Sequence, residues 1–180
     1  MRKKNEQLWN HLLKNLNDFE IRAGWFENSR YKDGTPIAYI AAIQNYGAKI
    51  RVADSFKNYL HYVGIHLKSD KESFVIPARP FMEHAKARVR GAEGKQILSQ
   101  EMFRVFEGKQ TIQQAVNRLG IWLQGIIQEE IIKINDPKLS GMTVVIRNSA
   151  YETNSQNQAA KPLQGSGAML AAVQYKAEIK

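Results

Sequence analysis

The sequence predicts an α+β fold in which a small antiparallel or mixed sheet packs against one long helix. Apolar residues recur at three- and four-residue steps from Thr111 to Ile134, which indicates a helix of about six turns. Residues 19–26 and residues 170–179 alternate between apolar and polar side chains in part, which is typical of strands. Hydrophobic residues make up 43% of the 180 residues. That share is enough for one core, so we expect a single domain over residues 1–180.

Two further helices are expected in the first third of the chain. In residues 1–18 the large apolar side chains fall on one helical stripe: Leu8, Trp9, Leu12, Leu13 and Leu16. Thr35 and Pro36 are typical of a helix start, a capping hydroxyl followed by a proline, and Gly47 is typical of a helix end. We therefore expect an N-terminal helix over residues 1–18 and a second helix ending at Gly47.

Two segments are predicted to project from the core. Residues 50–76 predict a β-hairpin arm, with one strand at residues 60–67, a polar turn, and a return strand at residues 73–76. Residues 139–167 are rich in Ser, Asn, Gln and Gly and predict a long polar loop with one short element at residues 142–146. Loops of this length are often functional or ordered by a partner, so we expect each segment to lie on a partner surface: a neighbouring subunit or, in a ring assembly, the next ring.

The segment Ile76-Pro77-Ala78-Arg79-Pro80-Phe81 is expected to be extended, because each proline keeps its predecessor out of helical geometry. A helix can begin after Pro80, and Phe81 is expected to be its buried anchor. Arg79 lies on the stiff backbone between two prolines, so we expect it to meet a carboxylate or a carbonyl, within the subunit or across an interface. Arg79, Pro80 and Phe81 are therefore candidates for an interface or a structural anchor.

Several classes of chemistry have no support in the sequence. There is no cysteine, which excludes disulfides, thiol nucleophiles, iron–sulfur clusters and thiolate zinc sites. The four histidines lack the pairing of a zinc-binding helix, and His61 and His66 would lie on opposite faces of a strand. The glycines at 165 and 167 lack the lysine of a phosphate-binding loop. We therefore expect no catalytic, metal or cofactor site, and we expect that the protein is not an enzyme.

The net charge of +9 permits contact with nucleic acid or with acidic protein surfaces. Lys86 and Arg90 would share one face of a helix, and Lys95 follows them, so these three are candidates to face a DNA path. A solvated helix face is the interpretation we prefer for them, and they become candidates for the lining only if the protein surrounds a DNA passage. No apolar run is long enough to span a bilayer, so no membrane partner is expected.

An ordered set of motifs resembles one known family. The set comprises residues 33–41, Asn45-Tyr46-Gly47, residues 76–82, Leu139-Ser140 with Thr143 and Arg147, Lys161-Pro162-Leu163, and residues 165–170. Its order resembles the tail-completion, or minor tail protein Z-like, neck proteins of tailed bacteriophages, over roughly residues 20–180. Asn45 stands where that family usually has an acid, and residues 164–167 stand where it usually has an Asp-Thr-Gly turn.

The resemblance implies a structural protein of the virion neck, made in the host cytoplasm, that completes the tail and joins head to tail. Such proteins assemble as rings, so a homo-oligomer, expected to be a hexamer, is implied. The implied neighbours are the head-tail connector, the tail terminator and the tail tube, with genomic DNA passing through the lumen without sequence reading. The alternative is a basic nucleic-acid-binding accessory protein. A phage-encoded enzyme such as a nuclease has almost no support in the residues.

Overall fold

The computed structural model of the chain describes residues 19–62, 64–68, 70–150 and 161–179. Over these ranges the fold is α+β, with seven helices and two antiparallel sheets of two strands each. The expected helix over residues 1–18 lies outside the described residues.

The elements follow one another in mixed order along the chain. The strands are β1 (Phe19–Gly24), β2 (Ala48–Arg51), β3 (Ser73–Ile76) and β4 (Gln174–Ile179). The helices are α1 (Ile37–Tyr46), α2 (Asp54–Tyr62), α3 (Phe81–Arg90), α4 (Ala92–Phe106), α5 (Ile112–Lys133), α6 (Gly141–Ala150) and α7 (Ala168–Ala171).

The chain divides into two compact units. Unit 1 comprises the described parts of residues 1–25, 83–129 and 173–180. Unit 2 comprises the described parts of residues 26–82 and 130–172. Unit 1 therefore holds β1, β4, α4 and most of α3 and α5, while unit 2 holds the β2–β3 sheet with α1, α2, α6 and α7. That residues 1–180 behave as a single domain stays a prediction.

In unit 1, a small sheet packs against the long helix, as the sequence predicts. β1 and β4 pair antiparallel, with Phe19 opposite Ile179 and Gly24 opposite Gln174. A Cβ atom added to Gly120 of α5 would lie 2.2 Å from Cδ2 of Tyr175 in β4. The tyrosine ring therefore rests directly on the helix backbone, and glycine is the residue that leaves room for it.

The long helix α5 begins at a reciprocal side-chain cap. Thr111 Oγ1 accepts the backbone N–H of Gln114 at 3.2 Å, and Gln114 Oε1 accepts that of Thr111 at 2.9 Å. This reciprocal capping satisfies two N–H groups of the first turn. Ala115, Val116 and Leu119 on one stripe are buried.

Within the described ranges, no helix combines the length and apolarity needed to cross a membrane.

The expected hairpin arm is corrected by the structure. β2 and β3 do pair antiparallel, with Ile50 opposite Phe74, so the return strand at residues 73–76 is confirmed. The strand expected at residues 60–67 is wrong, because the chain forms α2 over Asp54–Tyr62 instead. Phe56 and Leu60 recur at helical spacing, and Leu60 is fully buried. This period of 3.6 outweighs the strand propensity of the residues that follow.

The expected loop at residues 139–167 is also corrected in its first part. Residues 141–150 form helix α6, longer than the short element expected at residues 142–146. Ser140 Oγ accepts the backbone N–H of Thr143 at 3.2 Å and so caps the helix. The β-branched residues at 143–146 lower the helix propensity of this segment, and the Ser140 cap offsets part of that cost. Residues 151–160 lie outside the described residues.

The expected cap of α1 is wrong in one detail. Pro36, rather than Thr35, is the N-cap residue, and no side chain caps this helix. The backbone N–H of Thr35 instead donates to Asp33 Oδ1 at 2.9 Å. The turn before α1 is therefore stabilised by the aspartate.

The contact between Gly120 and Tyr175 leads to a stability prediction with an internal control. Gly120→Ala should lower the free energy of unfolding by about 1–3 kcal/mol, because the new methyl group overpacks the tyrosine ring. Gly125→Ala, in the same helix, has nothing within 4 Å of its new Cβ. It should raise the free energy of unfolding by up to about 1 kcal/mol through helix propensity. Urea denaturation followed by circular dichroism measures both, and equal effects at the two positions would contradict the packing.

Candidate functional site

Arg79 is the most deeply buried basic group among the described residues, with 2% of its surface exposed. Its Nε and Nη2 atoms donate to the carbonyl oxygen of Pro137 at 3.0 and 2.8 Å, and Nη2 also reaches the carbonyl of Lys138 at 3.4 Å. Its Nη1 atom donates to Gln44 Oε1 at 3.0 Å. The expected meeting with a carbonyl is therefore present within the chain. We call this cluster of Gln44, Arg79 and residues 137–138 the Arg79 junction.

The backbone around Arg79 is held as firmly as its side chain. The N–H of Arg79 donates to the carbonyl of Gln44 at 2.8 Å, and the N–H of Phe81 donates to the carbonyl of Arg79 at 2.7 Å. Phe81 is fully buried, as expected of an anchor for α3, whereas Pro80 is exposed. Whether Arg79, Pro80 and Phe81 also take part in an interface stays a prediction.

The triplet Asn45-Tyr46-Gly47 meets the same segment. Asn45 is 2% exposed, and its Oδ1 accepts the backbone N–H of Met82 at 3.0 Å, in the first turn of α3. Gly47 has φ 75°, and a Cβ there would lie 2.9 Å from Ala78 N. Glycine is required by both conformation and space. At position 45 the need is for an acceptor oxygen, which an amide or a carboxylate supplies.

The electrostatics of the Arg79 junction are those of a buried cation facing neutral oxygens. Burial lowers the pKa of Arg79, and the positive charge of Arg147 lowers the pKa further, while the carboxylate of Asp136 opposes this. A guanidinium nevertheless stays protonated in proteins. The charge of Arg79 has no direct carboxylate partner among the described residues, so these oxygen acceptors take the place of water around it. Removing any one of these hydrogen bonds should lower the stability of the folded protein.

An apolar groove of about 750 Å³ lies in unit 2. One wall is the face of the β2–β3 sheet that carries Ile50, Phe74 and Ile76, and Phe56 of α2 continues this wall. The other sides come from α1, from α6 and from residues 163–169. Ile50 keeps 41% of its surface exposed, so the groove is open to solvent. We call it the unit-2 groove.

Three charged residues line the unit-2 groove: Asp33, Arg51 and Arg147. Arg147 Nη1 donates to the carbonyl of Lys161 at 2.8 Å, and its guanidinium lies against Gly165, where a Cβ would be 3.0 Å from Cζ. Hydrogen bonds from Thr35 lower the pKa of Asp33, so this carboxylate is ionised at neutral pH. Two cations against one anion give the groove a positive balance.

Helix α1 exposes an apolar face. Ile37, Ala41 and Asn45 are buried on one side, yet the opposite side carries Tyr39 and Tyr46, which are 61% and 70% exposed. These two tyrosines are seven residues apart and therefore share a helix face. Exposed aromatic side chains on an otherwise apolar helix are typical of protein–protein contact surfaces.

The three candidate DNA-facing residues lie in unit 1, and all three are exposed. Lys86 and Arg90 are one turn apart on α3, while Lys95 is on α4. Arg88, between them in sequence, instead makes ion pairs with Glu93 and Glu129, both at 2.8 Å. The structure thus separates one structural arginine from three solvated cations, whose contact with DNA stays a prediction.

The histidine interpretation is corrected at one point. His61 and His66 do not lie on opposite faces of a strand, because His61 belongs to α2 and its Nδ1 is 2.9 Å from Nδ1 of His66. Two ligands do not make a metal centre. Among the described residues, no three histidine or carboxylate side chains gather into a group that could hold a metal ion.

Comparisons with protein-family models, with curated protein sequences and with solved structures found no match for this chain.

Replacing Arg79 by a neutral residue should strongly lower the free energy of unfolding. Arg79→Met should lower the free energy of unfolding by about 2–4 kcal/mol, because the carbonyls of Pro137 and Lys138 lose their charged donor. Arg79→Lys keeps the charge but cannot span the same acceptors, so it should also destabilise. The exposed Arg90→Met should change stability by no more than about 0.5 kcal/mol. Denaturant unfolding measures all three, and an unchanged Arg79→Met protein would refute the junction's role.

Proposed function

We propose that this protein is a structural component of the neck of a tailed bacteriophage, which completes the tail and joins it to the head as a ring. The observation that supports this proposal is the convergence of the resemblance motifs in one place. The triplet at residues 45–47 contacts the segment at residues 76–82, and Arg79 of that segment binds the chain next to Leu139. Arg147 then binds the carbonyl of Lys161. Motifs that are scattered along the sequence thus form one connected framework in unit 2.

Ring assembly needs two different contact surfaces on each subunit, because a head-to-tail contact repeats around a closed axis. Unit 2 offers distinct apolar surfaces for this purpose. One is the α1 face with Tyr39 and Tyr46, and another is the unit-2 groove with Ile50 at its opening. The proposed ring is a hexamer located in the tail neck of the virion, and its proposed neighbours are the head-tail connector, the tail terminator and the tail tube.

In this proposal, exposed basic residues face the DNA that passes through the ring. A ring around the genome would hold Lys86, Arg90 and Lys95 toward phosphate groups, which contact DNA without reading its sequence. The role needs no catalytic residue and no cofactor. Such contacts are weak for one subunit and add up only when several copies surround one duplex.

A second candidate function is a basic nucleic-acid-binding accessory protein. The observation that favours it is the exposure of the same three cations in a chain of net charge +9. It differs from the neck proposal in requiring tight DNA binding by the free protein.

The neck proposal predicts an oligomer that depends on the exposed tyrosines. The wild-type protein should have the mass of a hexamer by light scattering, and Tyr39→Ser combined with Tyr46→Ser should reduce it to smaller species that keep the wild-type circular dichroism spectrum. Phe103→Ser, at a side chain of similar exposure in unit 1 (59%), is the matched control and should leave the ring intact. Phage that lack the protein should accumulate filled heads and separate tails. Complete, infectious particles in its absence would overturn the proposal.

The two candidate functions predict different DNA affinities. Under the neck proposal, the free subunit binds duplex DNA no more tightly than about 10⁻⁶ M at physiological salt, as expected of a few phosphate contacts. Replacing Lys86, Arg90 and Lys95 together by Ala should then leave ring formation unchanged. Nanomolar binding by the wild type that is lost in this triple variant would instead favour the accessory protein. Fluorescence anisotropy at several salt concentrations makes the measurement.

A further inference from the structure

The outer edge of strand β2 has unpaired backbone groups. The backbone N–H of Val52 donates to the carbonyl of Glu72 at 2.8 Å, which continues the ladder between β2 and β3. In an antiparallel pair, residues that face the partner strand alternate with residues that face away, so the N–H and C=O groups of Lys49 and Arg51 point outward. Within the described ranges, no other segment pairs with this edge. The edge can therefore receive another strand.

The two outward-facing residues are cations. Lys49 and Arg51 are both exposed, and neither makes an ion pair or a side-chain hydrogen bond with another described residue. They alternate with Ile50, so they share one face of the sheet, whereas Ile50 lies on the face that forms a wall of the unit-2 groove. Arg51, at the end of the strand, also borders the groove. Cations at an edge repel a second copy of that edge and favour a strand that carries carboxylates.

A strand added to this edge would also cover apolar surface. Ile50 is 41% exposed at the opening of the unit-2 groove, and every second side chain of an added strand would lie beside it on the same face. In strand addition, main-chain hydrogen bonds supply affinity, and the surface that receives the alternate side chains supplies specificity. The β2 edge therefore fits an extended segment in which acidic and apolar residues alternate.

We propose that the β2 edge binds such a segment of another protein as a third strand of the β2–β3 sheet. Its carboxylates meet Lys49 and Arg51, and its apolar side chains cover Ile50. Among the strands that the structure describes, none carries acids at two alternate positions, so the occupant is a different protein rather than a second copy. The inference goes beyond the proposed ring, whose assembly it does not require.

The first test uses the wild-type protein and a capped octapeptide in which glutamate and valine alternate. One version of the peptide carries N-methyl groups on the glutamate amides, and another carries them on the valine amides. Only one alternate set of amides faces β2 in an added strand. One methylated version should therefore lose affinity by at least about ten-fold, while the other binds like the unmodified peptide. Fluorescence polarisation makes the measurement, and equal affinities of the two methylated versions would overturn strand addition.

Charge reversal tests the chemistry of the partner. Lys49→Glu with Arg51→Glu should lower the affinity for the glutamate–valine peptide by at least about ten-fold and create binding of the matching lysine–valine peptide. Lys86→Glu with Arg90→Glu makes the same change of charge at exposed residues of α3 in unit 1. This control should keep the wild-type affinity within about two-fold at physiological salt, because salt screens distant charges. Circular dichroism establishes that both variants fold.

Several other outcomes would contradict the inference. Wild-type affinity in the Lys49→Glu, Arg51→Glu variant would remove the β2 edge from the contact, and equal losses in both variants would show that the peptide responds only to net charge. Equal binding of a peptide with four glutamates followed by four valines would show that the alternation is not recognised. Absence of peptide binding, with duplex DNA binding that the β2 variant loses, would assign the edge to nucleic acid. If the β2 variant does not fold, the methylated and block peptides decide the question on the wild-type protein.

Discussion

The buried guanidinium of Arg79 is the interaction on which the rest of unit 2 depends. A cation that is 2% exposed must replace its lost water, and here it does so with the carbonyls of Pro137 and Lys138 and the amide of Gln44. These acceptors come from parts of the chain far apart in sequence. The charge therefore sets where the end of α1 and the chain after α5 must lie. The flanking prolines hold the backbone in the geometry that this requires.

The hydrogen bonds of Arg79 also hold residues that form the unit-2 groove. Gln44 binds Arg79 and also lines the unit-2 groove. Gly47, directly after α1, lets the chain pass so close to Ala78 that a Cβ at position 47 would lie 2.9 Å from the Ala78 nitrogen. The pairing of β2 with β3 then forms the apolar wall that Phe56 extends. A tight polar junction thus supports an open apolar surface, and a surface supported in this way keeps its shape before any partner arrives.

Much of the fold could be predicted from local patterns, and the reasons are visible in particular residues. The period of the apolar stripe predicts α5, and the two prolines predict the extended segment before α3. Local pattern did not predict α2, because the strand-forming residues after Leu60 favour a strand, whereas Phe56 and Leu60 have helical spacing. The Arg79 contact with a carbonyl could be anticipated, but its acceptor is 58 residues away along the chain. The groove has no signature in the sequence, since its lining comes from separate parts of the chain between residues 31 and 169.

We propose that the chain is a ring subunit of a phage neck, and imaging the neck tests this proposal most directly. In particles that carry this protein, a cryo-electron microscopy map should show a ring of six copies between the head connector and the tail tube. The map should place Lys86, Arg90 and Lys95 toward the central DNA. A map that fits no copy of this fold in the neck, or that places the protein elsewhere in the particle, would contradict the account.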